Sequence, residues 1–348
     1  MSAHALSRLL HRIVLLCLVV ILGLGAAATT VRASLPALKT VRMFNTDYVD
    51  TRDFAAHFGL AASWLEPGKK LRLQSPGTTI DLTVHREELW LNGVRIVLSA
   101  PTVVHQGSLY FAAGDAEFVL GPILAPQSTG PHPAIRTIVV DAGHGGDDPG
   151  KQNRELKLDE KKFTLDVARR LERGLKRAGY RVVMTRKRDR SVALEERVAI
   201  AQRAKADLFV SIHFNSFIDA KIAGAETFVV TPHRQPSSPA RENDPTMVAT
   251  RYPANGHDAR NSLIGYHVHR HLLERLKSVD RGVKHFRYHV LRMVDCPGVL
   301  IEAAFISNPN EAQQIASPEY RQQLADAIAS GIDAYRDLSS PAPMRKAK

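Results

Sequence analysis

The stretch from Ile135 to Gly146 constrains this chain more than any other. It opens as the β-branched run Ile138-Val139-Val140 and ends in the polar turn Asp141-Ala-Gly-His-Gly-Gly. The run predicts a short buried strand. A histidine held between glycines at the carboxyl edge of a strand is well placed for chemistry, because sites in open α/β sheets lie just outside those strand ends. Glycine flanks let the backbone turn tightly and let a metal or substrate approach closely. On this stretch alone, His144 is as readily an ordinary turn residue as a functional one, and the rest of the chain has to decide.

Strand and helix patterns alternate after it. The Ile135–Asp141 strand is followed by a helix near Glu160–Ala178, with Phe163, Val167, Leu171 and Leu175 four apart on one face. Tyr180–Thr185 reads as a strand, Leu194–Ala204 as a helix and Asp207–Ile212 as another buried strand, running into His213-Phe-Asn-Ser. Gly224–Thr231 reads as a fourth strand, 232–260 as a long loop rich in turn formers that shapes access to a cleft, and Asn261–Lys277 as a helix. An extended stretch at Tyr288–Arg292, a strand at Gly298–Ala303 and a helix at Pro318–Tyr335 complete the pattern. Such alternation predicts an α/β domain over 134–337, a twisted, mostly parallel sheet flanked by helices. The tail, 338–348, is basic and reads as disordered.

The chain of 348 residues suggests about two domains. At its start, Arg8, His11 and Arg12 precede an apolar run from Ile13 to Leu24, and small residues follow. That is the pattern of a secretory signal peptide over 1–33, and the run is short for a membrane span. Its removal takes away Arg8, Arg12 and Arg32 and no acid, moving the net charge from +12 to +9. A basic exported protein suits a polyanionic surface such as a cell wall, in the periplasm or outside the cell. Nucleic acid, the other usual partner of a high pI, lacks any supporting motif. Only Cys296 would remain, so no intramolecular disulfide is expected.

Residues 36–121 read as a small α+β accessory domain. Strand-like runs lie at Lys70–Leu73, Thr79–Val84, Glu88–Leu91, Arg95–Leu98 and Leu109–Phe111, with one helix around Thr51–Leu60. Asn92-Gly93 is a strong hairpin signal. The segment from Trp90 to Leu120 resembles the copper amine oxidase N-terminal-like domain, a resemblance that implies no copper here. His85 and His105 have no clustered third ligand. Residues 122–133, with four prolines, read as a linker.

Three features of the second domain meet. His144 and His213 end two strands, and strands joined by right-handed crossovers present their carboxyl ends on one face. Glu160 starts the intervening helix and reaches the same point if the turn after His144 folds back. Two imidazoles and one carboxylate suit a single Zn2+ ion, His₂Glu being one catalytic ligand set that leaves a position for water. Zinc lowers the pKa of that water from 15.7 towards ~7. Glu302, in GVLIEAAFISNP, ends an apolar strand where an unpaired carboxylate would be costly. It is assigned as general base, passing its proton to the leaving amine.

These residues carry a resemblance. VVDAGHGGDDPG, DEKKFTLDVARRL, MTRKRDRSVALEERVAIA, ADLFVSIHFNS, GAETFVV and PGVLIEAAFISNPNEA, in that order, resemble the zinc-dependent N-acetylmuramoyl-L-alanine amidase family of the amidase-3 type. The resemblance implies cleavage of the peptidoglycan amide between N-acetylmuramic acid and L-alanine, zinc on His144, Glu160 and His213, and a catalytic Glu302. It also implies a mixed six-stranded sheet. Two departures stand out. Lys151-Gln-Asn-Arg makes the mouth near Glu160 more basic, and Asn215 stands where some relatives have an acid, reading as a substrate or supporting hydrogen bonder, or else as a turn residue.

Weaker candidates are Glu226, a second carboxylate for the cleft or a solvated strand residue, and His267, His269 and His271, read as helix-surface histidines. Cys296 has no catalytic signature. The partner expectations are peptidoglycan, a monomeric chain and a protein activator. The competing functions are a zinc peptidase cutting within the stem peptide and a wall-binding protein without catalysis.

Overall fold

The computed structural model describes residues 38–129, 133–238 and 244–338. The expected signal peptide, the tail beyond 338 and residues 130–132 of the expected linker lie outside them. In chain order the first region holds β1 (Thr40–Met43), β2 (Thr46–Asp50), α1 (Thr51–His57), β3 (Ala61–Glu66), β4 (Lys70–Ser75), β5 (Thr78–Thr83), β6 (Glu88–Leu91), β7 (Val94–Val97), β8 (Val103–His105) and β9 (Ser108–Ala112). The second holds β10 (Thr137–Ala142), β11 (Gln152–Asn153), β12 (Leu158–Asp159), α2 (Glu160–Arg177), β13 (Arg181–Met184), α3 (Leu194–Ala204), β14 (Leu208–Asn215), β15 (Ala225–Val229), α4 (Asp258–Leu276), β16 (Asp280–His285), β17 (Gly298–Phe305), α5 (Pro309–Ala316) and α6 (Pro318–Asp337).

One mixed sheet of eleven strands dominates, in the order β13-β10-β14-β17-β15-β16-β7-β6-β5-β4-β3. Its first six strands come from the α/β region, as expected there. β13, β10, β14 and β17 run parallel, and β15 reverses direction against β17. The central strands read as continuous apolar runs because they are covered on both faces: every residue of β10 is buried. Helix α2 turns Val167, Ala168, Leu171 and Leu175 onto the sheet, and α4 and α6 pack against each other. Asn308 caps α5 and Ser317 caps α6, each followed by proline at the first helical position.

The accessory region does not form its own closed sheet. The antiparallel meander β3–β7 continues the large sheet through a parallel contact between β7 and β16, with Ile96 opposite Val283. The Asn92-Gly93 turn joins β6 to β7 with both residues at positive φ, the hairpin geometry its sequence calls for. β1, β2, β9 and β8 form a second, four-stranded sheet. The described residues fall within one compact unit.

Four local readings are corrected. The segment read as a linker begins as a helix, Gly121–Leu124, with Pro122 buried, because proline is well tolerated in a first helical turn. The stretch expected to be extended at Tyr288–Arg292 is a helical turn, His289–Arg292, and an unexpected strand lies earlier, at Asp280–His285. In the sequence, Asp280-Arg-Gly interrupts any alternation, so that strand depends on its neighbours. His269 is fully buried rather than on the surface, bonded to Thr227 Oγ1 at 2.9 Å and Asp280 Oδ1 at 2.9 Å. The stretch after Thr231 includes helical turns at Pro245–Ala249 and Pro253–His257. It starts where the reversed β15 ends, beside the entry of β17: Asn255 Nδ2 donates to Thr231 O, and Gly298 N donates to Asn261 Oδ1. That is the sheet end opposite His144 and His213, so the described parts of 232–260 do not shape access to those residues. Among the described residues, no helix is long and apolar enough to cross a membrane.

Asp280 holds the joint between the two regions, accepting from Arg95 N at 2.7 Å and Gly282 N at 2.8 Å besides bonding His269. Asp280→Ala leaves these partners unsatisfied and is expected to destabilise the fold by about 2–4 kcal/mol, read as a lowered denaturation midpoint; an unchanged midpoint would show that the joint carries no stability.

Candidate active site

Three parallel strands end together, and the site forms at their carboxyl edge. The loop after β10 carries His144 in the left-handed region, φ 61°, a costly conformation for a residue with a Cβ that persists only where surrounding structure enforces it. Two buried arginines supply the enforcement. Arg197 of α3 donates to Asp141 Oδ1 at 2.6 Å, to Ala142 O at 2.8 Å and to His144 O at 2.9 Å. Arg186 donates to Ala142 O at 3.0 Å and to Gly143 O and Lys161 O at 2.8 Å each. Asp141 also accepts from Thr185 and Ser211 hydroxyls, each at 2.7 Å. Burial would raise the Asp141 pKa, but Arg197 and the two hydroxyls outweigh it and hold the carboxyl below the usual range. Burial pushes the Arg186 guanidinium down to about 10, so it stays charged at neutral pH.

The turn after His144 does fold back. β11 and β12 pair as a small hairpin leading directly into α2, which begins at Glu160. His144 Nε2 lies 3.1 Å from Glu160 Oε2, His213 Nδ1 lies 3.1 Å from Glu160 Oε1, and the two imidazole nitrogens are 3.2 Å apart. These three side chains are the only group of this kind among the described residues that could hold a metal ion. His85, His105, His267 and His271 are in no such group. The outer contacts fix the orientation of the three: His144 Nδ1 bonds Asp148 Oδ2 at 2.7 Å, and Glu160 accepts from Lys151 N at 2.7 Å and Phe214 N at 3.0 Å. Such partners set the tautomer and basicity of metal-ligating groups. Burial opposes the charge on Glu160, yet the hydrogen bonds and charges of both histidines hold its pKa well below the ordinary value. Burial likewise lowers, and Glu160 and Asp148 more than restore, the proton affinity of His144, which ends up raised.

Close approach requires two glycines. A Cβ on Gly143 would lie 2.3 Å from the His213 ring, and one on Gly150 would lie 2.6 Å from Glu160 Oε2 and 2.7 Å from the His144 ring.

Across the sheet, His213, Glu302 and Glu226 are register partners on β14, β17 and β15. Glu302 thus sits one strand from His213. Its Oε2 is buried without a hydrogen-bond partner among the described residues. Burial pushes its carboxyl well above the ordinary range, the charges of Glu160 and Glu226 push the same way, and Lys151 opposes. Glu226 is buried rather than solvated: Oε1 accepts from Arg281 Nε at 2.7 Å and Lys284 Nζ at 2.9 Å, and Oε2 accepts from Asn215 Nδ2 at 3.1 Å. Burial opposes its charge, but the two cations keep its pKa below the usual value. Asn215 also accepts from Ser216 N through Oδ1. Cys296 is buried, and burial pushes its thiol up to about 12, which leaves no thiolate at neutral pH.

Read together with this geometry, comparison with known proteins is decisive. The family described as N-acetylmuramoyl-L-alanine amidase matches residues 138–334. The chain belongs to that family. The enzyme class follows as N-acetylmuramoyl-L-alanine amidase. Among its relatives, the uncharacterized protein YqiI of Bacillus subtilis is 35% identical over 215 residues, covering 62% of this chain and 92% of that protein. The amidase AmiA of Escherichia coli is 32% identical over 223 residues, covering 58% and 76%. The amidase AmiC of Neisseria meningitidis is 33% identical over 224 residues, and the match spans only 53% of its length against 58% of this chain. The solved amidase AmiC2 of Nostoc punctiforme is 29% identical with a TM-score of 0.49, covering 58% of this chain and 97% of that one.

Arg186, Arg197, Asp141 and Asp148 were not singled out from the sequence as site residues. The available signal was the density of arginine in TRKRDRSVALEERVAIA, two of which turn inward at positions that no apolar pattern marks.

Two outcomes follow for this amidase. Arg197→Met leaves Asp141 buried and unpaired, at a cost of about 3–5 kcal/mol. The ion-pair part of that stabilisation is present above the unfolded carboxylate value near pH ~4 and lost as pH falls through the lowered folded value, so the gap between wild type and variant should narrow in strong acid to the cost of the lost carbonyl bonds. Gly143→Ala should leave the α/β fold intact and lower metal occupancy; full occupancy by elemental analysis would contradict the close approach described.

Proposed function

We propose that this chain hydrolyses the amide between N-acetylmuramic acid and L-alanine in peptidoglycan with one zinc ion held by His144, Glu160 and His213. The donor set supports that choice. His144 Nε2 and His213 Nδ1 lie 3.2 Å apart, close to the ~3.3 Å edge of a tetrahedron built on zinc bonds of about 2.0–2.1 Å; each has a Glu160 oxygen at 3.1 Å, and one ligand atom from each of the three residues lies within 4.8 Å of the others. When bound, the ion supplies a Lewis acid that polarises the scissile carbonyl and makes water nucleophilic near neutral pH.

The observation that carries the reading is the orphaned carboxylate oxygen of Glu302, one strand from His213. A buried carboxyl without a partner has a raised proton affinity and suits proton transfer near neutral pH. In this reading Glu302 takes a proton from the attacking water and delivers it to the leaving L-alanine nitrogen. Asp148 keeps the His144 Nδ1 proton in place so that Nε2 faces the ion, and the backbone amides of Lys151 and Phe214 keep Glu160 oriented. Asn215 acts at the cleft by fixing Glu226, and reaches substrate only through that network. Export through residues 1–33, wall tethering by the strand-rich region 36–121 with 122–133 as its connection, and a monomer under a protein activator complete the proposal.

Purified protein digesting peptidoglycan, with products identified by mass spectrometry, tests it. Zinc-loaded wild type is expected to release stem peptides beginning with alanine, and chelation to abolish the release. Glu302→Gln should keep its zinc and lose about 10²–10⁴-fold in kcat. Cuts between peptide residues would replace the amidase assignment with a peptidase, and wall binding by zinc-loaded protein without any cleavage would leave a binding protein.

A further inference from the structure

Beyond Glu302 the sheet continues with a set of charges that the hydrolytic reaction does not use. Glu226 lies one strand past Glu302 in direct register, and Arg281 and Lys284 lie on β16, one strand further. Glu226 satisfies only part of Arg281. The guanidinium gives Nε to Glu226 Oε1 and rests over the Phe305 ring, 5.1 Å from its centroid. Its two η-nitrogens make no hydrogen bond among the described residues, although the side chain is 30% exposed. Glu226 has nothing more to offer them, since its other oxygen is taken by Asn215. The neighbouring carboxylate Glu311 spends both oxygens on the backbone amides of Gly224 and Phe305. A guanidinium fixed at Nε and stacked on an aromatic ring presents its η-nitrogens as a preset fork, the geometry that matches a carboxylate.

On this basis, and resting on the amidase reading above, we infer that Arg281 is a specificity-determining residue that binds a carboxylate on the peptide side of the scissile amide. Glu226 holds the guanidinium, with Lys284 and Asn215 in turn holding Glu226. The position sets which carboxylate this is. Arg281 is two strands from Glu302, about 10 Å at the ~4.8 Å strand spacing. An extended peptide covers about 3.3–3.6 Å per residue, so the anion belongs to the second or third residue of the stem. The fork therefore reads the peptide, while the His144–Glu160–His213 cluster and Glu302 address the bond.

The test uses the purified, zinc-loaded protein and muramoyl tripeptides whose second- and third-residue carboxylates are replaced, one at a time, by carboxamides. For wild type, one replacement should lower kcat/KM about ten- to hundredfold, the range of a charge-assisted hydrogen bond, mainly through KM. Arg281→Gln should lose that discrimination, cleaving acid and carboxamide alike. Arg281→Lys, which keeps a cation beside Glu226, should retain part of it and carries the test if the glutamine variant does not fold. A structural role alone would slow all substrates equally and leave the ratio unchanged. The inference is overturned if wild type is indifferent to both replacements, or if the variants discriminate as wild type does. Failure of wild type to cleave any of the tripeptides, while still releasing alanine-ended stems from whole peptidoglycan, would overturn a fork acting within the first three residues. Failure on both would overturn the amidase reading itself.

Discussion

The site depends on a buried ion pair, Asp141 with Arg197. Asp141 lies at the carboxyl end of β10, and Arg197 reaches from α3 to bond its carboxylate and the carbonyls of Ala142 and His144 that follow. Arg186 takes the next carbonyls from the other side. A loop of this kind would otherwise leave buried carbonyls unpaired, at a cost comparable to the stability gained from many apolar contacts. With both arginines in place, the loop has one conformation, and His144 is held at a positive φ it would not choose alone. The small side chains of the turn then let His213 and Glu160 close to within hydrogen-bonding distance of it.

The mixed sheet converts that local order into a linear arrangement of functions. Parallel β10, β14 and β17 bring the His144–Glu160–His213 cluster and Glu302 to one edge, and register puts His213, Glu302 and Glu226 in a row one strand apart. The reversal at β15 has two effects. It lets a short connection from β14 return Glu226 to the same row, and it sends the long stretch after Thr231 to the far end of the sheet. Charge alternates along the row: imidazoles, then a carboxyl that burial keeps protonated more readily than usual, then an ionised carboxylate held by two cations. Groups whose environments push their proton affinities apart are those that divide acid and base roles.

Legibility differed by element. The βα alternation, the helix at Leu194–Ala204 and the NG hairpin were readable because local patterning and final packing agree in them. β1, β2, β3 and β8 were not seen, since short, exposed strands such as Ala61–Glu66 carry no apolar alternation. The strand at Asp280–His285 was missed for a related reason: its conformation comes from β15 and β7 on either side and from Asp280, whose carboxylate ties its own Gly282 amide to His269 and to the distant Arg95 amide. His269 was misread because a histidine on a polar-looking helix gives no sign that a half-buried carboxylate and a buried threonine await it.

The sequence by itself determined the family and the residues proposed for its chemistry. His144, Glu160, His213 and Glu302 were identifiable because a polar group at the end of a buried strand, or a carboxylate within an apolar one, costs stability unless a site uses it, and because the ordered motifs point to one family. Only the tertiary structure decided what surrounds them. That Asp141 and two arginines clasp the loop, that Glu226 is buried under Arg281 and Lys284, and that the strand-rich region extends the same sheet all depend on contacts between residues dozens to more than a hundred positions apart. Side-chain pairing at such separations is fixed by sheet register and strand direction, and neither is written into any local pattern.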